Sequence, residues 1–97
     1  MLFVVMCTDK AGHEHVRMEN RPAHLAFLKE YGDHLFAAGP LQTDDGEHMI
    51  GSVLIMDFED RAAVEAFAAR DPYKSAGLFE SVVIHRWKKV LPADAAA

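Results

Sequence analysis

Two runs in this chain are apolar at consecutive positions instead of alternate ones: Leu2-Phe3-Val4-Val5-Met6 and Val53-Leu54-Ile55-Met56. Both are short and bounded by polar or turn residues, which marks them as strands. A strand whose sheet has one face in water alternates apolar and polar side chains. These two do not alternate, so both faces of their sheet are expected to be covered.

The segments around them set the order of elements. Thr8 to Glu19 is polar and contains Gly12, and is read as a loop. Pro22 suits the first turn of a helix, where its missing N–H costs nothing. Leu25, Leu28 and Phe27 give that helix an apolar stripe, and Gly32 is a natural stop. Leu35 to Leu41 reads as strand two, with Gly39 and Pro40 favouring a sheet edge. Asp44-Asp45-Gly46 marks a hairpin turn, and strand three runs from Met49 or Ile50 to Phe58. Asp60 caps a second helix over Arg61 to Arg70, whose buried stripe is Val64, Phe67 and Ala68. Asp71-Pro72 ends it, because the residue before a proline is pushed out of the helical region. Phe79 to Val90 is strand four.

The order is β-α-β-β-α-β, which predicts an α+β, ferredoxin-like fold with a four-stranded antiparallel sheet. With 97 residues there is room for one core: a single domain over 1–91 and a flexible tail over 92–97. Two helices cover one face of such a sheet. The economical cover for the other is a second copy, packed sheet against sheet. A homodimer with a shared barrel-like core is therefore expected.

Charge and composition remove several function classes. Ten Lys and Arg against fifteen Asp and Glu leave a net charge of −5, which offers no footprint for nucleic acid or an anionic membrane. No apolar run approaches the roughly 20 residues of a membrane span. Met1 to Met6 lacks the basic region and cleavage site of a signal peptide. The lone Cys7 has no intrachain disulfide partner and suits a reducing cytosol, so a cytoplasmic location is expected.

In the predicted topology helix one starts, and helix two ends, at the same edge of the sheet. His24, in the opening turn of the first, and Asp71, just past the second, are thereby expected to meet beside a pocket. Imidazole exchanges a proton near neutrality. A carboxylate on one ring nitrogen fixes the tautomer and leaves the other nitrogen to act on a substrate. Each residue alone has a duller reading: His24 as a structural histidine, Asp71 as part of a helix-ending pair, Tyr73 as a packing aromatic, Ser52 as a strand residue. No nucleophile-elbow pattern surrounds Ser52 or Ser75. His13-Glu14-His15 has no further cysteine or clear histidine partner to complete a ligand set, so no metal is expected, and no cofactor motif is present.

Arg21-Pro22-Ala23-His24-Leu25, Ala38-Gly39-Pro40, Gly51-Ser52, Asp71-Pro72-Tyr73, Ala76-Gly77 and Trp87-Lys88-Lys89-Val90 together resemble the YciI (YCII-related) family over almost the whole chain. The resemblance implies a ferredoxin-like fold assembled as a dimeric α/β barrel. It also implies a His–Asp pair in a pocket, carried by His24 and Asp71, with Ser52 at the Gly-Ser position facing it. The hairpin between Thr43 and His48 looks short and helix one looks clipped before Gly32, so pocket size and substrate preference do not carry over. The expected function is general acid/base chemistry of the lyase or isomerase type on a compact, anionic organic molecule. Ser52 and Arg21 would contact that ligand. The alternatives are a non-catalytic ligand-binding or accessory dimer module, and a dimer in which His24–Asp71 only ties helix one to the end of helix two.

Overall fold

A computed structural model describes residues 1–93 of the chain; the last four positions of the expected tail lie outside the described residues. The elements are β1 (Leu2–Asp9), α1 (Glu14–Glu30), a 3-10 turn (Gly32–His34), β2 (Leu35–Gln42), β3 (Met49–Asp57), α2 (Arg61–Ala69), α3 (Pro72–Ser75) and β4 (Phe79–Trp87). The four strands form one antiparallel sheet in the order β2-β3-β1-β4. This is the predicted ferredoxin-like α+β arrangement, with β2 at an edge as its Gly39-Pro40 pair requires.

Alternate residues of the two apolar strands point to opposite faces. Phe3, Val5 and Cys7 of β1 and Leu54 and Met56 of β3 are buried, and pack with Phe27 and Leu28 of α1 and Val64 and Phe67 of α2. The Phe27 and Phe67 rings stack with centroids 5.1 Å apart. Burying each such side chain stabilises the fold by about 1.5–3 kcal/mol. On the other face, Met6 pairs across β1 with Val53 of β3 and Val83 of β4. Met6 and Val83 are each 43% exposed in the single chain.

Helix α1 departs most from the sequence reading. It spans 17 residues and starts at Glu14, so the expected loop over Thr8 to Glu19 is the end of β1, a turn and the opening of the helix. Gly12 makes that turn possible, with φ at +71°. Pro22 lies inside the helix, and His24 is in its interior instead of its first turn. The cause is visible in the buried face: Arg17, His24, Phe27 and Leu28. Half of it is polar, so apolar periodicity starts late and the first turns look solvated. Leu25, expected in the stripe, is exposed.

Other boundaries shift for local reasons. Asp60 caps α2 as predicted, its side chain accepting a hydrogen bond from the Ala63 N–H at 2.8 Å. Asp71-Pro72 does more than end α2: Asp71 is the N-cap of the short α3, accepting from the Tyr73 N–H at 2.9 Å. Strand β4 ends at Trp87, short of Val90. The hairpin turn sits at Gly46, whose φ of +74° few other residues tolerate.

Of the glycines, Gly51 leaves the least room for a side chain. A Cβ there would collide with the Cys7 carbonyl oxygen and lie 3.0 Å from Leu41 Cδ1. Gly51→Ala is therefore expected to destabilise the protein by about 1–3 kcal/mol, read as a melting temperature lower by several degrees. Gly32→Ala, with nothing within 4 Å of the added atom, should leave it within about a degree or two. Equal melting temperatures for the two variants would contradict the packing of β1 on β3.

Candidate functional site

The interior of α1 faces the helix-side surface of β3 and the short α3, and between them lies a cavity of about 260 Å³. Met18, Leu25, Leu28 and Leu54 give it apolar walls, and the Ala38-Gly39-Pro40 stretch of β2 closes one side. Its polar groups come from Arg17, Arg21, His24, Ser52 and Tyr73. A mostly apolar hollow with a few convergent polar groups is the usual form of a small-ligand site.

His24 and Asp71 meet at its wall. His24 Nδ1 lies 3.0 Å from Asp71 Oδ1, and the two residues are 6% and 2% exposed. A carboxylate accepts and does not donate, so Nδ1 carries the proton in this pair and Nε2 is left with its lone pair. Among the described residues no group bonds Nε2, and none of their buried side-chain nitrogens or oxygens is without a partner. The Nε2 atom is therefore reachable, on a residue that lines the cavity. The His24 ring also stacks on Tyr73, centroids 4.0 Å apart and 17° from parallel. Asp71 and the stack together hold the imidazole in one orientation.

A second buried polar group went unnoticed in the sequence. Arg17, 4% exposed, donates from Nε to Asp9 Oδ2 at 2.7 Å and from Nη2 to Asp9 Oδ1 at 2.9 Å. The same Nη2 donates to Ser52 Oγ at 2.9 Å, and the guanidinium carbon sits 4.6 Å from the centre of the Tyr73 ring. Burial works against the Arg17 charge, but the hydrogen bond and charge of Asp9 outweigh it and hold its pKa above the usual arginine value. The signal was present in the spacing: Arg17, Arg21 and His24 fall on one face once the helix is carried back past Pro22.

The remaining expected site residues divide cleanly. Ser52, 3% exposed, lines the cavity. Arg21 is exposed at its rim and forms no ion pair among the described residues. Tyr73 is a buried wall. Burial pushes its phenol up in pKa against the pull of the Arg17 charge, so it stays a neutral hydroxyl at pH 7. Cys7 is also nearby, but burial first, then the charge of Asp71, pushes its thiol up to about 12. At neutral pH it is no nucleophile.

The His13-Glu14-His15 motif lies outside this cavity. Glu14 accepts from His48 Nδ1 at 2.8 Å and from the Met49 N–H at 2.9 Å, tying the start of α1 to the hairpin. These bonds lower the Glu14 pKa and raise that of His48. The charge on the His48–Glu14 bond is thus present between those two values and fades as pH rises through the raised His48 pKa or falls through the lowered Glu14 one. The Met49 N–H bond holds as long as Glu14 is ionised. Among the described residues no group of three or more His, Cys, Asp or Glu side chains is arranged to hold a metal ion.

Comparison with known proteins agrees with this architecture. The YCII-related domain matches residues 1–88. Protein YciI of Escherichia coli is 39% identical, the match covering 93% of this chain and 99% of that protein. An uncharacterised protein of Haemophilus influenzae is 34% identical over the same shares. Among solved structures, the 5-chloro-2-hydroxyhydroquinone dehydrochlorinase TftG of Burkholderia phenoliruptrix, in complex with 2,5-dihydroxybenzoquinone, superposes with a TM-score of 0.87. It is 36% identical, over 97% of this chain and all of that one. With its βαββαβ order, its matched span and these relatives, the chain belongs to the YCII-related domain family.

Proposed function

We propose that this protein is a homodimeric enzyme of the lyase or isomerase type, acting on a compact oxygenated organic molecule, with His24 as general acid/base and Asp71 as its orienting partner. The observation that carries this reading is the accessible Nε2 of His24 on the cavity wall, opposite a ring nitrogen bonded to a buried carboxylate at 3.0 Å. Asp71 holds the proton on Nδ1, which leaves the Nε2 lone pair free to accept one from a substrate, and its charge faces the imidazolium that then forms. Such assistance is worth about 10²–10⁴ in rate.

The likeness to a dehydrochlorinase supports elimination as the reaction type. Loss of HCl from a chlorinated hydroxyhydroquinone removes one proton and one chloride and needs no external electron carrier. The step asks for a base at a ring hydroxyl and an acid that returns that proton to the chlorine-bearing carbon as the ring tautomerises. A second hydroxyl then gives up its proton as the C–Cl bond breaks and chloride leaves to solvent. A single imidazole beside a small cavity can do both in turn. The cavity, about 260 Å³ and mostly apolar, fits a one-ring molecule better than anything larger.

Dimerisation is part of the proposal. The row of Val83, Met6 and Val53 across the face remote from the helices is a continuous apolar strip. A second sheet packed on it, about 10 Å away, would bury what the helices leave open.

Two experiments test this. Offered 5-chloro-2-hydroxyhydroquinone, the wild-type protein is expected to release chloride, and His24→Gln to do so about 10²–10⁴ times more slowly while keeping its fold and assembly. Binding of 2,5-dihydroxybenzoquinone with no turnover by either form would favour a non-catalytic ligand-binding module instead. Sedimentation should give a dimer at micromolar concentration, and Met6→Asp should shift it to monomer with the far-UV spectrum intact. A wild-type monomer would remove the dimer from the reading.

A further inference from the structure

Ser52 carries a neutral hydroxyl in this site whose direction a neighbouring cation dictates. Its Oγ receives a hydrogen bond from Arg17 Nη2 at 2.9 Å. A guanidinium has five donors and no acceptor, so the Ser52 proton cannot point back at Arg17. Among the described residues no oxygen takes that proton, and the Arg17 contact is the one hydrogen bond of the Ser52 side chain. The serine is nine-tenths and more buried, at 3% exposure, and it lines the cavity. Its O–H is thus a buried donor without an acceptor, directed at ligand space.

Asp9 makes this arrangement rigid. Its two oxygens hold Arg17 by Nε and Nη2, 2.7 Å and 2.9 Å away, a bidentate pair that fixes the plane of the guanidinium. The second Nη2 hydrogen is thereby aimed at Ser52. A hydroxyl that accepts from a cation is also a stronger donor, because the bonds polarise one another.

We infer that the Asp9–Arg17–Ser52 chain forms an acceptor-oxygen subsite, so that the cavity selects a ring bearing an oxyanion or carbonyl oxygen and holds that oxygen on the Ser52 hydroxyl. The inference deepens the function proposed above and rests on the same cavity, but it concerns binding and not proton transfer. Arg21, exposed at the rim and without an ion pair among the described residues, adds a positive charge on the ligand side. Asp9 and Arg17 act as positioning residues here and Ser52 as the contact. A ligand offering only a donor, such as an aromatic amine, would face the Ser52 proton and leave it unsatisfied, which costs more than a missing contact.

The test uses 4-nitrophenol, whose phenolate is coloured and whose ionisation reports the charge around its oxygen. On binding to the wild-type protein its ionisation constant is expected to rise roughly tenfold, equivalent to a pKa lower by about one unit. Ser52→Ala should remove most of that shift, and Ser52→Thr, which keeps the hydroxyl, should restore it. His24→Gln should leave the shift in place even where it abolishes turnover, so failure of the catalytic reading and failure of this one are told apart. A shift lost in His24→Gln and kept in Ser52→Ala would overturn the inference, since the oxygen would then sit on the imidazole. Binding of the dye only as the neutral phenol, or no spectral change at millimolar dye, would overturn it equally. Arg17 is left intact throughout, because breaking its buried pair with Asp9 can unfold the protein.

Discussion

One oxygen atom joins the fold to the site. Asp71 Oδ1 accepts both the Tyr73 N–H that caps α3 and the Nδ1–H of His24 from α1. A buried carboxylate is tolerated only when its hydrogen bonds are made. The cap holds the acid at the point where α2 gives way to α3, and the imidazole then secures α1 against that corner. The usual worth of an N-cap, about 0.5–2 kcal/mol, understates this one, because losing His24 also strips a partner from a buried acid. The same contact that supports packing orients the ring, so the structural reading of the pair and the functional one describe one geometry.

The second buried pair follows a similar logic from the other side of the cavity. Asp9 ends β1 and Arg17 lies in the first turns of α1, so their ion pair spans the turn at Gly12 and closes the strand onto the helix. Taking two charges out of water is costly, and a hydrophobic pair of similar volume would often stabilise the fold more. What an apolar pair cannot do is donate to Ser52 Oγ. The polar solution therefore fits a site better than it fits a core.

How much of this was readable beforehand depended on how apolar each segment is. Strands one and three, the β2 edge with Gly39 and Pro40, the Asp60 cap and the stripe of α2 carry their signal in side-chain type, and the structure has them where periodicity put them. The start of α1 was not readable, because its inward face is built from Arg17 and His24, whose burial depends on partners remote in sequence. Pro22 reinforced the error by resembling a helix opening. His24 and Asp71 were nonetheless placed near each other from topology alone, since moving the helix start back slides His24 along the same face without turning it away. Arg17 and Asp9 fell inside a presumed loop, where charged residues read as solvated and draw no notice.

The balance of charges within the cavity bears on what can enter it. Arg17 is matched by Asp9, and Asp71 is engaged by His24 and the α3 backbone. Arg21 stands on the rim with no carboxylate bonded to it among the described residues, positive in a chain whose net charge is −5, and offsets the charge that Asp71 keeps while His24 is neutral. An anionic ligand therefore meets a weakly repulsive field from afar and an attractive one only within about 8 Å of the mouth, the screening length at physiological ionic strength. Long-range steering contributes little under these conditions. Selection has to come from close contact: apolar walls of Met18, Leu25, Leu28 and Leu54 for a flat body, and a few directed polar atoms for its oxygens. A molecule with charge but no apolar surface gains nothing from the walls, and one with apolar surface but no oxygen leaves buried donors unmet. Only a ligand combining the two recovers the cost of drying this cavity.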